Sequence, residues 1–266
     1  MSPLAYHRPA STAEAVQLAT ADSEAKLLAG GQSIVPSLKL GLLAPSALID
    51  LAGIPELRGI RLQGRALSIG AMTTHAQVAQ SAEVRSSIPA LAELAEGIGD
   101  RQVRNRGTAG GSLANSDPAA DYPAAALGLG AVLRTDRRSI PADWFFKGLF
   151  ETDLAAGELL SVVDFPVPDR AAYVKLPQPA SRFALVGVFV SQTAGSVRVA
   201  VTGAAACAFR VTPMEEALAK KFSPESLAGI TVPADHLNSD IHGSAEYRAS
   251  LIPVLARRAV AQALGL

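Results

Sequence analysis

Apolar and polar positions in residues 1 to about 57 predict a small α/β unit. Ser11 or Thr12 is expected to cap a helix that runs to about residue 21. Residues 25–29 and 47–51 are predicted as strands. Between them, a glycine turn is followed by Ser33, which is expected to cap a short helix over 34–40. The order is therefore strand, glycine turn, helix, strand.

A second pattern covers residues 58–168. Two apolar runs, 59–63 and 66–70, flank Gly64 and Arg65 and predict a hairpin. Thr73 or Thr74 is expected to begin a helix. Further helices are predicted at 89–97, where apolar residues form one stripe, and in the alanine-rich segment 122–129. Strands near 131–135 and 160–165 complete this part.

The last third begins after a proline-rich linker at 166–170. Three strands are predicted, at 172–176, 183–192 and 196–204. In the third strand, valines alternate with smaller or polar residues, as in a half-buried strand. Helices follow at 214–221, 224–229 and 245–264. These patterns predict a separate antiparallel sheet with helices, so the fold class is α+β.

Composition excludes several kinds of function. The 24 basic and 24 acidic residues give a net charge of zero, whereas nucleic-acid-binding proteins usually carry a basic excess. We find neither a secretory signal pattern nor an apolar run long enough to span a bilayer, so a cytoplasmic protein without a membrane span is expected. With one cysteine and four histidines, the chain is not expected to bind its own metal centre. Redox chemistry would need an organic cofactor.

Two glycine turns are candidate anion sites, because paired glycines let backbone N–H groups face a phosphate. The first comprises Ala29, Gly30, Gly31, Gln32 and Ser33; the second comprises Thr108, Ala109, Gly110 and Gly111. Each turn alone is a modest signal, and an ordinary tight turn is the alternative. Neither fits the Rossmann or P-loop pattern. Two such turns on separate units predict one diphosphate held between them.

Polar residues follow the second glycine turn. Asn115, Ser116, Asp117 and Asp121 are candidates to bond ribitol or ribose hydroxyls, or the edge of a flavin ring. His75 is expected to be a hydrogen-bonding residue at a helix start, with a place near a flavin as the alternative. Trp144 is expected in core or interface packing. Cys207 is expected to be an inert core thiol.

The sequence resembles the medium, FAD-binding subunit of bacterial molybdenum hydroxylases, a family that includes carbon monoxide dehydrogenase, nicotine dehydrogenase and the flavin domain of xanthine dehydrogenase. The likeness spans nearly the whole chain. The most specific motif is the stretch from Gln102 to Asp121, QVRNRGTAGGSLANSDPAAD. Weaker motifs are the first glycine turn, SIGAMTTH at 68–75, GELL at 157–160, and SAEYR at 244–248 with LARR at 255–258.

The resemblance implies a fold and a set of contacts. The fold is an FAD-binding domain of the vanillyl-alcohol-oxidase (PCMH) type at 1–168, with subdomains at about 1–57 and 58–168. A carbon-monoxide-dehydrogenase-flavoprotein-like domain follows at 169–266. The diphosphate turns of the family map onto the two glycine turns, and its flavin-contacting aspartate maps onto Asp121. Leu159 or Leu160 falls where a leucine packs near the flavin, and Lys175 falls where a lysine approaches the cofactor.

The full set of predicted cofactor-binding residues is Ala29, Gly30, Gly31, Gln32, Ser33, Thr74, Thr108, Ala109, Gly110, Gly111, Asn115, Asp117, Asp121, Leu159, Leu160 and Lys175. The chain departs from the family pattern at Arg182, where many members carry an acidic residue. Contacts at that position are therefore expected to differ.

The resemblance also implies a division of labour. Substrate is hydroxylated at a molybdenum cofactor in a large partner subunit, and electrons pass through iron–sulfur clusters in a small partner subunit. They reach FAD in this chain and leave to an external acceptor. A dimer of heterotrimers is the expected assembly. No general base, nucleophile or metal ligand is expected in this chain, because the flavin is the reactive group.

Two other functions stay open. The first is a free-standing FAD-dependent reductase of the same fold, which would need its own proton donor near the flavin. The second is a non-catalytic scaffold that has lost FAD; the intact glycine turns argue against it. The substrate and the electron acceptor are not readable from this chain.

Overall fold

The computed structural model describes residues 4–266. Helices and sheets are mixed along the chain, and a three-stranded, a five-stranded and a four-stranded sheet follow one another in sequence. The predicted α+β class is therefore confirmed. No helix among residues 4–266 is long and apolar enough to cross a membrane.

The first sheet is parallel, with strand order β1–β3–β2. Its elements are β1 (Ala5–His7), α1 (Thr12–Ala21), β2 (Lys26–Leu28), α2 (Ile34–Lys39) and β3 (Ala47–Asp50). Ser11 caps α1 by accepting a hydrogen bond from the N–H of Glu14, as predicted. Ser33 precedes α2, but its side chain makes no capping bond, so that expectation was wrong.

The second sheet is antiparallel, with strand order β4–β5–β10–β6–β7. Its strands are β4 (Ile60–Gln63), β5 (Ala66–Gly70), β6 (Val132–Thr135), β7 (Ser139–Pro141) and β10 (Leu160–Pro166); a small hairpin, β8 (Phe146–Gly148) and β9 (Glu151–Thr152), lies between β7 and β10. Short helices connect these strands: α3 (His75–Gln80), α4 (Ala82–Ser87), α5 (Pro89–Glu96), α6 (Arg101–Arg106), α7 (Ala109–Asn115), α8 (Tyr122–Leu129) and α9 (Ala142–Phe145).

The third sheet is an antiparallel meander of β11 (Arg170–Pro177), β12 (Ala184–Thr193), β13 (Ser196–Thr202) and β14 (Phe209–Arg210). Two helices, α10 (Thr212–Lys220) and α11 (Ala245–Leu264), pack with it. Val186, Val188 and Val190 join the core shared with these helices, whereas Phe189 joins the core around α8. Because successive side chains of a strand face opposite sides, both faces of β12 are covered.

Three apolar clusters underlie these sheets. One lies mainly in residues 15–57, the second mainly in 67–165 and the third in 172–260. The clusters also join neighbouring units, since Met72 and Leu159 pack in the first, and Tyr173 and Phe189 in the second. The third sheet is thus bound to the second unit by packed side chains.

Two side chains differ from their predicted environment. Trp144 is 68% exposed, so it does not pack in the core, and its packing in an interface stays a prediction. The single turn of α9 buries Phe145 and directs Trp144 outward. Cys207 is only half-buried rather than part of the core, and burial raises the pKa of its thiol.

Arg248 ties α11 to the sheet. Its guanidinium is buried, and Nη1 donates to the carbonyls of Leu185 (2.7 Å) and Gly203 (2.8 Å). Nη2 donates to the Asp240 carboxylate at 2.7 Å.

We therefore expect Arg248→Met to lower the free energy of unfolding by about 3 kcal/mol, because two buried carbonyls lose their donors. Urea unfolding measures this change. Arg257→Met on the exposed face of the same helix is the control and should change stability by less than about 0.5 kcal/mol. Equal effects of the two substitutions would contradict the assigned role of Arg248.

Candidate functional site: a cavity between two glycine segments

A cavity of about 910 Å³ lies where the three units meet. The two glycine segments line one part of it. Met72, Ile98, Leu159 and Leu160 contribute apolar wall, and residues 181–183 come from the loop between β11 and β12. This volume is at the upper end of the range for pockets that enclose small ligands.

The first glycine segment leads from β2 into α2. A Cβ on Gly30 would lie 2.2 Å from the carbonyl oxygen of Arg106, so only glycine lets this backbone rest on the end of α6. Gly31 has a φ of 76°, which favours glycine as well. Within residues 4–266, the N–H groups of Gly31, Gln32 and Ser33 donate to no protein acceptor. These donors are available to an anion.

The second glycine segment forms the first turn of helix α7, and is not the free turn that the sequence predicted. Thr108 is the N-cap, and its Oγ1 accepts from the N–H of Gly111 at 3.1 Å. The N–H of Gly110 donates to the carbonyl of Ala71 at 2.9 Å. A short helix was missed here because its two glycines disfavour helix and predict a turn.

The two segments touch. A Cβ on Gly111 would lie 3.2 Å from the Cβ of Ala29 and 2.7 Å from Oγ1 of Thr108. They come from different sheets, since Ala29 follows β2 and Gly111 lies between β5 and β6. The convergence of two glycine segments that was predicted from the sequence is therefore present in the structure.

An ionic network supports the apolar wall near Leu159. Glu158 is buried, and Arg138 donates to its carboxylate at 2.9 Å. Thr135 and the N–H of Ala155 donate to the same carboxylate. The Arg138 guanidinium and these donors lower the pKa of Glu158 to about 2. Glu158 therefore stays ionised at neutral pH and fixes the segment that precedes Leu159.

A buried carboxylate, Asp121, also lines the cavity. Its oxygens accept hydrogen bonds from Oη of Tyr173 and from Nζ of Lys175, the latter at 2.9 Å. Burial raises the pKa of Asp121, and the Lys175 ammonium opposes that rise. Lys175 also donates to the carbonyls of Gly97 (3.0 Å) and Arg182 (2.9 Å). An ammonium has three donors, so all of them have protein acceptors.

The loop between β11 and β12 contributes Ser181, Arg182 and Phe183 to the cavity. Arg182 has a φ of 63°, an unusual value for a residue other than glycine. Its Nη1 donates to the carbonyl of Gly99 at 2.9 Å, and Arg104 donates to the same carbonyl at 3.0 Å. Arg182 thus anchors this loop to the segment before α6.

His75 and Tyr122 form a buried aromatic pair near the glycine segments, with ring centroids 5.3 Å apart. Burial lowers the pKa of His75 to about 4, and the charge of Arg104 acts in the same direction. The imidazole is therefore neutral at pH 7. Among the residues that the structure describes, Nδ1 of His75 and Oη of Tyr122 have no hydrogen-bond partner.

Most of the predicted cofactor-binding residues line this one cavity: Ala29, Gly30, Gly31, Gln32, Ser33, Thr108, Gly110, Gly111, Asn115, Asp117, Asp121, Leu159 and Leu160. Three do not. Thr74 caps α3 through a capping box, and Ala109 is fully buried behind the glycines. Lys175 contacts Asp121 but does not itself line the cavity. A direct contact from these three residues to a cofactor stays a prediction.

Sequence reasoning missed several lining residues, including Met72, Ile98, Gly99, Phe150 and Phe183. Phe150 has a φ of 55°, and its N–H donates to the carbonyl of Ser116, which has a φ of 46°. Such conformations occur often at functional sites. The left-handed conformations of Phe150 and Ser116 could not be predicted from the sequence, because neither residue is glycine or asparagine.

Comparisons with known proteins agree with the site. A family model described as the FAD binding domain in molybdopterin dehydrogenase matches residues 2–168. The nicotine 6-hydroxylase medium subunit of Paenarthrobacter nicotinovorans is 38% identical, over 97% of this chain and 96% of that protein. The carbon monoxide dehydrogenase medium chain of Hydrogenophaga pseudoflava is also 38% identical, over 96% of this chain and 95% of that protein.

Solved structures are similar over the whole chain. The carbon monoxide dehydrogenase from Hydrogenophaga pseudoflava which lacks the Mo-pyranopterin moiety has a TM-score of 0.88 at 35% identity, covering 100% of this chain and 99% of that one. The reconstituted CO dehydrogenase from Oligotropha carboxidovorans has a TM-score of 0.90 at 34% identity, covering 99% and 98%. The chain belongs to the family of FAD-binding domains in molybdopterin dehydrogenases, and the predicted family and cofactor are confirmed.

Two threonines allow a matched test of which residues reach the cofactor. Thr108 and Thr74 are both N-caps, and each accepts a bond from a backbone N–H. Substitution of either by valine should cost about 1 kcal/mol of stability, as loss of a cap does. We expect only Thr108→Val to weaken FAD binding, by about tenfold, because Thr108 alone lines the cavity.

Titration of the FAD-free chain with FAD, followed by flavin fluorescence, measures both affinities. An equal loss of affinity in Thr74→Val would mean that Thr74 also contacts the cofactor.

Proposed function

We propose that this chain is the FAD-carrying subunit of a multi-subunit molybdenum hydroxylase. It would receive electrons from iron–sulfur clusters of a small partner subunit and pass them to an external acceptor. The molybdenum cofactor would lie in a large partner subunit. The proposal includes a cytoplasmic dimer of heterotrimers, and an FAD-binding part that ends near residue 168. One observation carries it: two glycine segments from different sheets meet at one cavity.

The chemistry of the cavity suits FAD. The free N–H groups of Gly31, Gln32 and Ser33 in the first glycine segment are suited to the negative diphosphate. The second glycine segment lies against the first and has no side chain there to block the approach of a phosphate. Apolar side chains such as Met72 and Leu159 are suited to the flat ring system. Asn115 and Asp117 lie along the same cavity, where sugar hydroxyls would find acceptors and donors.

FAD, when bound, supplies the group that accepts and releases electrons. The residues of this chain bind it, orient it and exclude water from it. His75 is neutral at pH 7, and burial raises the pKa of Tyr122, so neither is poised as an acid.

The names of the relatives support the assembly. The two proteins at 38% identity are called a medium subunit and a medium chain. A similar protein, 33% identical over 93% of this chain, is the 6-hydroxypseudooxynicotine dehydrogenase complex subunit alpha of Paenarthrobacter nicotinovorans. Subunit names of this kind belong to multi-subunit enzymes, and we extend that organisation to this chain.

The proposal is tested by purifying the chain under native conditions. We expect a yellow protein with a two-banded flavin spectrum, release of FAD on denaturation, and co-purification of a large and a small subunit from the source cells. A colourless chain that also takes up no added FAD would overturn the flavin proposal and favour a scaffold. A yellow chain that purifies without partners would favour a free-standing flavoenzyme.

A further inference from the structure

Asp121 stands at the N-cap position of α8, yet its side chain makes no capping hydrogen bond. An aspartate at this position usually accepts from an N–H of the first helical turn. Here the carboxylate accepts instead from Oη of Tyr173 and Nζ of Lys175. It is thereby held away from the helix end and lines the cavity.

Tyr173 reaches Asp121 from another part of the chain. It lies on β11, in the third sheet, and its ring packs against Phe189 on β12 with centroids 6.1 Å apart. Only 8% of the residue is exposed. Burial and the Asp121 carboxylate raise the pKa of the Tyr173 phenol well above its usual value. The hydroxyl therefore stays protonated and is a permanent donor to Asp121.

The neighbouring strand leaves room for this hydroxyl. A Cβ on Gly187 would lie 2.4 Å from Oη of Tyr173. Gly187 interrupts the apolar run of β12 between Val186 and Val188, and a glycine inside a strand is unfavourable by about 0.5–1 kcal/mol relative to alanine. Any side chain at position 187 would collide with the Tyr173 hydroxyl, which explains the glycine at this position.

We propose that Tyr173 is a positioning residue: its hydroxyl holds the Asp121 carboxylate directed into the cavity, against the bound flavin. This inference rests on the proposed FAD site. Without the hydroxyl, Asp121 keeps only Lys175 as a side-chain donor, and the direction of its carboxylate is fixed by one side chain instead of two. A carboxylate beside the flavin disfavours the addition of electrons to it, so loss of the carboxylate raises the reduction potential.

The structure offers a matched control. Tyr122 is also fully buried and directly follows Asp121, but its hydroxyl has no partner among the described residues. Tyr122→Phe therefore removes the same group beside the same carboxylate without breaking a hydrogen bond. Tyr173→Phe keeps the packed ring and removes only the bond to Asp121.

The test uses the full chain, freed of flavin and titrated with FAD, followed by spectroelectrochemical measurement of the midpoint potential of the bound flavin. In Tyr173→Phe we expect FAD affinity to fall about tenfold and the midpoint potential to become more positive. In Tyr122→Phe we expect both quantities to stay at the wild-type values. A purely structural role of Tyr173 would lower the thermal midpoint of the chain and leave the potential unchanged.

The outcomes separate the two proposals. If the wild-type chain binds FAD and the two variants share its potential, the role of Tyr173 is refuted and the FAD site stands. If the wild-type chain binds no FAD, the proposed function fails and the inference fails with it.

Discussion

The site depends on the backbone contact between Gly30 of the first glycine segment and the end of α6. Gly30 rests on the carbonyl of Arg106 so closely that any side chain would overlap it. This contact brings a parallel sheet and an antiparallel sheet to the same place, and it sets Ala29 against Gly111. Glycine is needed there because two backbones meet, and the cavity opens beside that meeting point.

A second constraint joins the third sheet to the same cavity. Both faces of β12 are buried, one against α11 and the other against α8. Phe189 packs on that second side together with Tyr173. Through this packing, β11 places Tyr173 and Lys175 behind Asp121. The C-terminal sheet thus contributes to the cavity indirectly. Its residues Tyr173 and Lys175 hold Asp121 in place, and few residues of the sheet face the cavity themselves.

Much of this organisation was predictable from local patterns. The helices at 122–129 and 245–264 have the predicted bounds, because their alanine-rich and periodic sequences agree with their environment. The hairpin around Gly64 and the capping at Ser11 and Thr74 also follow from local chemistry. The meeting of the two glycine segments was predicted because paired glycines can be recognised in the sequence and are typical of turns that bind anions.

Other features were beyond sequence reasoning because they arise from tertiary contacts. The sequence gives no sign that the Lys175 ammonium donates to Asp121 and to two backbone carbonyls. The sequence left open whether Trp144 packs in the core or in an interface, and α9 directs it outward. Phe150 takes a left-handed conformation that is not predicted for a phenylalanine. Each depends on which segments become neighbours, and a single chain's local pattern does not contain that information.

The central claim is that the two glycine segments hold a diphosphate between them. It is tested most directly by comparing the affinity of the flavin-free chain for FAD and for FMN, which has the same ring system but lacks the second phosphate and the adenosine. Competition by free adenosine measures how much of the difference the adenosine supplies. We predict that FAD binds at least about 100-fold more tightly, as expected for two charge-assisted hydrogen bonds that FMN lacks. Equal affinities would show that the cavity recognises the ring alone, and would contradict the role assigned to the glycine segments.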